Sequence, residues 1–321
     1  MRVLVTGMGG EVATRVAQLL EADERVREVA GFDMVPPRRR LRAAVFKRID
    51  PRDRDRLVSF VTEFEPDAVA HLGVYEPDSR LAPREAARAT EACTVHALGA
   101  AARAGRLERV ALRSGIEVYG RGRGRPLVPD ESAPIAPTTW FGRTLLEVES
   151  LAAGIARRHD VTVSALRFAV VAGSHVPSPL GRVLRLPAVP VPAASDPPFS
   201  MLDRDDAARA IVQALLRQHD GPLNVVGPGA TSPWQAVAFG RRVPVPVVGP
   251  GWRLARAAAE FLGAPMPGHV LEVLRRGRTA DGGRAHDELE LGFMRPTQEV
   301  LADLYEWATV TPLPNAETRV A

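Results

Sequence analysis

Three glycines, one acid and a few proton-bearing side chains carry the chemistry open to this chain of 321 residues. Gly7, Gly9 and Gly10 follow the apolar run Val3-Leu4-Val5-Thr6 and precede Glu11-Val12-Ala13. A strand, a glycine turn and a helix start in that order let backbone N–H groups approach a pyrophosphate. Ala13 holds the third motif position, where a methyl between helix and sheet is tolerated. Asp33 ends the next apolar run about twenty residues on, where a carboxylate accepts the hydroxyls of an adenosine ribose. An acid there repels a 2′-phosphate, so the expected cofactor is NAD rather than NADP, with Arg38, Arg39 and Arg40 as the nearby counter-argument. Asp50 and Pro51, just past the third apolar run, are expected at the adenine.

Two groups stand where a proton could be moved. Tyr75 follows the fourth apolar run and can bring a phenol to the cofactor, or pack over the pyrophosphate. Glu117 follows the fifth, and in open α/β sheets ligands sit beyond the carboxyl ends of strands. A carboxylate partly desolvated there is pushed towards neutrality and suits proton abstraction; its alternative role is a cap on the loop. Tyr119 reads as packing, and His71 as a hydrogen-bonded structural histidine at the end of a buried strand. His96 falls on the helix that carries Thr94. No pair of His or carboxylate residues has metal-ligand spacing on one helical face, so no metal is expected.

These residues need a scaffold, and the pattern of the first half supplies one. Short apolar strands at Val3–Thr6, Glu28–Asp33, Ala44–Arg48, Ala68–Leu72, Arg109–Arg113 and Thr162–Phe168 alternate with helical stretches. The helices are expected near Gly10–Leu20, Arg54–Glu63, Pro83–Ala104 and Thr138–Arg158. Strand and helix in alternation mean an α/β fold, a doubly wound parallel sheet of Rossmann type. After Gly173 seven prolines, from Pro177 to Pro198, crowd a segment that cannot be regular helix. A helix from Arg204 to Gln218 and a last sheet strand at Leu223–Val226 return the chain to the first domain. A second proline-rich patch, Val243–Val247, precedes two or three helices between Gly251 and about Trp307. The expected division is residues 1–172 and about 200–226 for the dinucleotide domain, and about 173–199 and 227–308 for a smaller, mostly helical substrate domain. Residues 309–321 form an aperiodic tail, expected to be mobile.

Composition narrows the function classes. The chain is 45% hydrophobic and 25% charged, with a net charge of +4 carried almost wholly by arginine, since Lys47 is the only lysine. Aromatics make up 5%, too few for the stacking that a nucleic-acid binder needs. The runs Arg38–Arg40 and Arg121-Gly122-Arg123-Gly124-Arg125 read as solvated loop clusters. Cys93 is the sole cysteine, which excludes an intrachain disulfide. No apolar run approaches membrane-spanning length and the first strand starts at residue 2, so a cytoplasmic location is expected.

In these motifs the chain resembles the extended short-chain dehydrogenases/reductases, and within them the UDP-glucose 4-epimerase-like and nucleotide-sugar dehydratase proteins of actinobacteria. The likeness runs through Thr6–Ala13 (TGMGGEVA), His71-Leu72-Gly73-Val74 and Ser114-Gly115-Ile116-Glu117-Val118-Tyr119-Gly120. It continues in Leu166-Arg167-Phe168, Leu202–Asp206 and Glu290-Leu291-Gly292-Phe293. The resemblance implies NAD, held along Leu72, Gly73, Val74 and Thr94, a small-molecule substrate of the nucleotide-sugar type, and a homodimer through helices 83–104 and 138–158, where Ala100, Ala101 and Ala102 permit close packing. It also places the family's catalytic Ser/Thr, Tyr and Lys at Gly115, Phe141 and Leu145, none of which can relay a proton. Glu149 supports that register. Two substrate ligands of the family fall on Val170 and Phe199, while Glu117 matches the glutamate that the dehydratases use as a base. Two functions therefore stand open: a divergent epimerase or dehydratase in which Glu117 or Tyr75 replaces the lost tyrosine, and a non-catalytic NAD-binding sensor or scaffold.

Overall fold

In the computed structural model, which describes residues 1–122, 124–173 and 176–306, the apolar runs of the first half become strands of one sheet. Along the chain come β1 (Arg2–Thr6), α1 (Glu11–Leu20), β2 (Glu28–Asp33), β3 (Val45–Arg48), α2 (Arg54–Phe64), β4 (Ala68–His71) and α3 (Pro83–Cys93). Next are α4 (Gly99–Arg103), β5 (Arg109–Gly115), α5 (Trp140–His159), β6 (Thr162–Phe168), β7 (Val170–Ala172) and α6 (Pro179–Leu184). Then follow β8 (Ala188–Pro192), β9 (Met201–Asp203), α7 (Arg204–Arg217), β10 (Gly221–Val225), α8 (Pro233–Phe239) and β11 (Val243–Val247). Four helices close the described chain: α9 (Gly251–Phe261), α10 (Gly268–Arg276), α11 (Gly283–Glu288) and α12 (Thr297–Glu306). The expected tail, 309–321, lies outside the described residues.

The main sheet runs β10-β6-β5-β4-β1-β2-β3, all pairs parallel. β4 is buried along its whole length, which is why Ala68, Val69 and Ala70 read as an apolar run rather than an alternation. The strand order reverses between β1 and β4, and that switch point opens a crevice beyond the carboxyl ends of the strands. One apolar core packs this sheet between its helices, and a second gathers α6, β8, α8 and the helices α9, α10 and α12.

Four expectations are corrected. The helix foreseen from Pro83 to Ala104 is broken by a π-helical turn at Thr94–Leu98, whose first residue, Thr94, donates its hydroxyl back to Thr90 O at 2.8 Å. The proline-rich segment does contain a helix, α6, because Pro179 sits in its first turn, where no N–H is needed, and Ser178 caps it. The patch Val243–Val247 is a strand, paired in parallel with β8. In β8 and β11 the prolines alternate with other residues, so in each strand they share one edge and leave the N–H groups of the other edge for pairing. Finally, the chain after Gly251 forms four helices among the described residues, not two or three.

Candidate active site

The glycine turn is built for close approach. Gly7 has φ +66°, and a Cβ there would lie 2.8 Å from Leu72 O, so the turn can press against the end of β4. A Cβ at Gly9 would meet Val35 O at 2.1 Å. Gly10 is the N-cap of α1 and provides no side-chain cap, which leaves the first N–H groups of that helix facing a cavity of about 90 Å³. Gly7, Gly10, Glu11, Val12, Asp33, Leu72 and Val74 line it, together with Tyr75, Arg80 and Arg113.

Asp33 is 1% exposed at the end of β2. Its Oδ1 accepts bonds from Met34 N (2.7 Å) and the Tyr75 hydroxyl (3.2 Å), and Arg80 Nη1 stands 3.6 Å from Oδ2. Burial pushes this carboxyl above its usual range, against the pull of Arg80. Arg80 also donates to Gly9 O at 2.9 Å. The Tyr75 phenol is thus spent on Asp33, and burial holds it well above its ordinary titration range. Glu11, also buried, has Arg38, Arg39 and Arg204 within 3.8–3.9 Å, so the first two arginines of the 38–40 run face an acid rather than solvent alone.

Other expected contacts are placed elsewhere. Asp50 pairs with Arg52 at 2.6 Å, and Pro51 O lies 3.0 Å from His96 Nδ1; neither residue lines the cavity. Thr94 is fully buried beneath His71, whose Nδ1 and Nε2 lie 3.0 Å from Thr6 Oγ1 and Thr94 Oγ1. Burial drives the His71 imidazole down to about 4. Gly73 donates its N–H to Thr6 Oγ1 (2.9 Å), and a Cβ on it would strike Cys93 Sγ.

A second, narrower cavity of about 30 Å³ lies against the end of β5 and α5. Glu117, 6% exposed, sits on the 3₁₀ turn Ile116–Tyr119. A Cβ on Gly115 would lie 2.2 Å from Glu117 Oε2 and 3.0 Å from Leu145 Cδ1, so the carboxylate fills the space that a side chain at 115 would take. Phe141 and Leu145, four apart on α5, form the adjoining wall. Arg278 Nε stands 3.8 Å from Glu117 Oε1, and its Nη2 bonds Glu272. Arg113 lines both cavities and donates to Val74 O at 3.3 Å.

Tyr119 points away from this crevice. Its hydroxyl donates to Asn224 Oδ1 and accepts from Arg167 Nη1, both at 2.8 Å, while Arg167 grips Glu149 through two nitrogens. Arg121 of the second arginine run is buried, donating to the carbonyls of Pro126, Leu127 and Thr279. That run is therefore not a solvated cluster at its first residue. Among the described residues no cluster of His, Cys, Asp and Glu could hold a metal, and no helix is long and apolar enough to cross a membrane.

A sequence model of the NAD dependent epimerase/dehydratase family matches residues 3–226. The chain belongs to this family. A relative of this NAD dependent epimerase/dehydratase family member, an uncharacterized protein of Mycobacterium tuberculosis strain H37Rv, is 28% identical over 324 residues, covering 97% of this chain and 85% of that protein. A protein of Mycobacterium bovis matches to the same extent. Similar folds among solved structures include the UDP-glucuronic acid 4-epimerase of Bacillus cereus with UDP-glucuronic acid and NAD (TM-score 0.74, 18% identity, 96% of this chain and 99% of that one). They also include the UDP-glucose 4-epimerase of Thermotoga maritima with UDP-glucose (0.72, 19%, 96% and 99%). A third is the UDP-glucose-4-epimerase of Stenotrophomonas maltophila with NAD and formylated UDP-arabinopyranose (0.72, 22%, 100% of both). At such identities the likeness establishes the shared fold.

Sequence reasoning missed His269, Glu76, Arg80 and Arg113, which line these cavities. His269 arrives from α10, far along the chain, and no local spacing marks it. Glu76 and Arg80 follow β4, at a position where only their proximity to a strand's carboxyl end was legible.

Proposed function

We propose that the chain binds NAD in the first cavity and uses it on a small hydroxylated substrate of the nucleotide-sugar class, with a proton relay other than Ser/Tyr/Lys. The observation that carries the reading is the uncapped start of α1 beside Asp33, in a cavity that Arg113 joins to the Glu117 crevice. The N–H groups of the first turn of α1 suit a pyrophosphate, Asp33 suits a ribose diol, and Leu72 and Val74 give the groove apolar walls. NAD, when bound, supplies the acceptor and donor of a hydride. Phe141 and Leu145 offer neither proton nor cation. Glu117, filling the space beside Gly115, then becomes the acid that meets a substrate hydroxyl. In this reading residues 1–172 and about 200–226 hold the cofactor, and the remainder of the described chain closes over the substrate.

The narrowness of the crevice favours one rival, a protein that binds NAD without turning it over. Calorimetry with NAD and NADP tests the binding, with NAD expected to bind more tightly. Fluorescence of bound NADH after adding UDP-glucose, UDP-galactose or UDP-glucuronate then separates the enzyme from the sensor. Tighter binding of NADP, or no binding of either nucleotide, would overturn the cofactor assignment.

A further inference from the structure

One imidazole faces the crevice. His269, the second residue of α10, is 4% exposed and lines the narrow cavity with Glu117, Gly115 and Leu145. Its Nε2 lies 3.1 Å from Glu76 Oε1, and its ring centroid is 4.8 Å from that of Phe141. Glu76 borders both cavities, so the pair stands where the dinucleotide groove meets the crevice. The other ring nitrogen, Nδ1, makes no hydrogen bond among the described residues. The other described histidines lie elsewhere: His71 is held between two threonines, His96 meets Pro51 O, His219 meets Glu288, and His159 and His286 are exposed at the surface.

A ring nitrogen held by a carboxylate, with the second nitrogen free beside a crevice, is the arrangement by which a base is oriented for proton transfer. Glu117 is differently placed, with Arg278 on one side and the backbone of Gly115 on the other. It suits a charged partner for a substrate hydroxyl better than a shuttle. We infer that His269, oriented by Glu76, is the proton-transfer group of the crevice, acting on a secondary alcohol whose carbon exchanges a hydride with the nicotinamide cofactor. In the forward step the substrate O–H bond breaks and its proton passes to Nδ1, while the C–H hydride leaves for the cofactor and the carbon–oxygen bond becomes a carbonyl. The reverse step returns both. Phe141 then supports the imidazole at the place where a tyrosine would have carried the proton itself. This inference rests on the NAD-dependent reading above.

The test uses the full chain loaded with NAD, with UDP-glucose, UDP-galactose and UDP-glucuronate as probes and bound NADH fluorescence as the signal. His269→Ala is expected to slow reduction by about 10²-fold or more while leaving the calorimetric affinity for NAD unchanged. Added imidazole restores part of the rate to His269→Ala, and none to His269→Gln, whose side chain occupies the vacated space. Glu76→Gln, which keeps a partner for the ring but no charge, falls between wild type and His269→Ala. Thermal melts of all three variants report their folding. Reduction by His269→Ala at the wild-type rate, or a loss that imidazole does not restore, overturns the assignment of His269 alone. A wild type that binds NAD but reduces it with none of the three probes overturns both this assignment and the enzymatic reading.

Discussion

Asp33 carries opposite obligations to the fold and to the ligand. Burial raises its folded value, so the folded protein holds the proton to higher pH than the unfolded chain does. The contribution of Asp33 to stability is therefore whole below the ordinary aspartate range and is lost as pH rises through the shifted value. Asp33→Asn is expected to raise the melting temperature of the ligand-free protein at neutral pH. The same change should weaken NAD binding roughly 10–100-fold, from the loss of charged hydrogen bonds to the ribose. Calorimetry and a thermal melt on one preparation check both. His71 works in the other direction. Its folded value of about 4 lies below the ordinary 6.5, so its contribution to stability is whole above that range and is lost as pH falls through it, by about 3 kcal/mol in all. Denaturant titrations between those limits on wild type and His71→Gln should show the slope in the first and its loss in the second. Glu117→Gln, which removes a charged partner of the substrate hydroxyl, should leave NAD affinity intact and cut hydride transfer by roughly 10–100-fold; full turnover in that variant would make Glu117 structural. The sequence could place Asp33 and Glu117 beside a cavity because one ends a strand and the other follows one. The phenol of Tyr75 was not legible, because only the folded chain reveals that it is spent on Asp33.

At the scale of elements, the turn between β1 and α1 tolerates no side chain on its second glycine. Gly9→Ala would drive a methyl onto Val35 O, a backbone atom that cannot rotate aside. The expected cost is about 1–3 kcal/mol, read as a lower denaturation midpoint, with NAD binding lost alongside. Elements of the first half were legible because most of the strands are short apolar runs and the helices have a period. β2 and β6 follow the expected ranges to the residue. β8 and β11 were not legible, since proline counts against a strand until one sees that the missing N–H groups share one edge. The break between α3 and α4 was hidden for another reason: a π turn keeps the helical pattern of polar and apolar residues almost unchanged while adding one residue to the turn.

For the molecule as a whole, ligand and fold are linked. NAD at about a hundred times its dissociation constant should add about 2.7 kcal/mol to stability, a rise of roughly 5 °C in the melting temperature. Differential scanning with NAD, and with Asp33→Asn as the control, measures it. How the two cores share the chain has a consequence for how the protein can be made. The polypeptide leaves the main sheet after β6, lays down β8, returns to complete the sheet with β10, and only then supplies β11. β8 thus emerges from synthesis well before the strand it pairs with, and its apolar surroundings wait for α9, α10 and α12. The stretch 3–226 that defines the family is consequently not a separable module. A polypeptide ending there would carry half a ribbon and half a core, and should be recovered as aggregate, whereas co-expression with residues 227–306 should return it to solution.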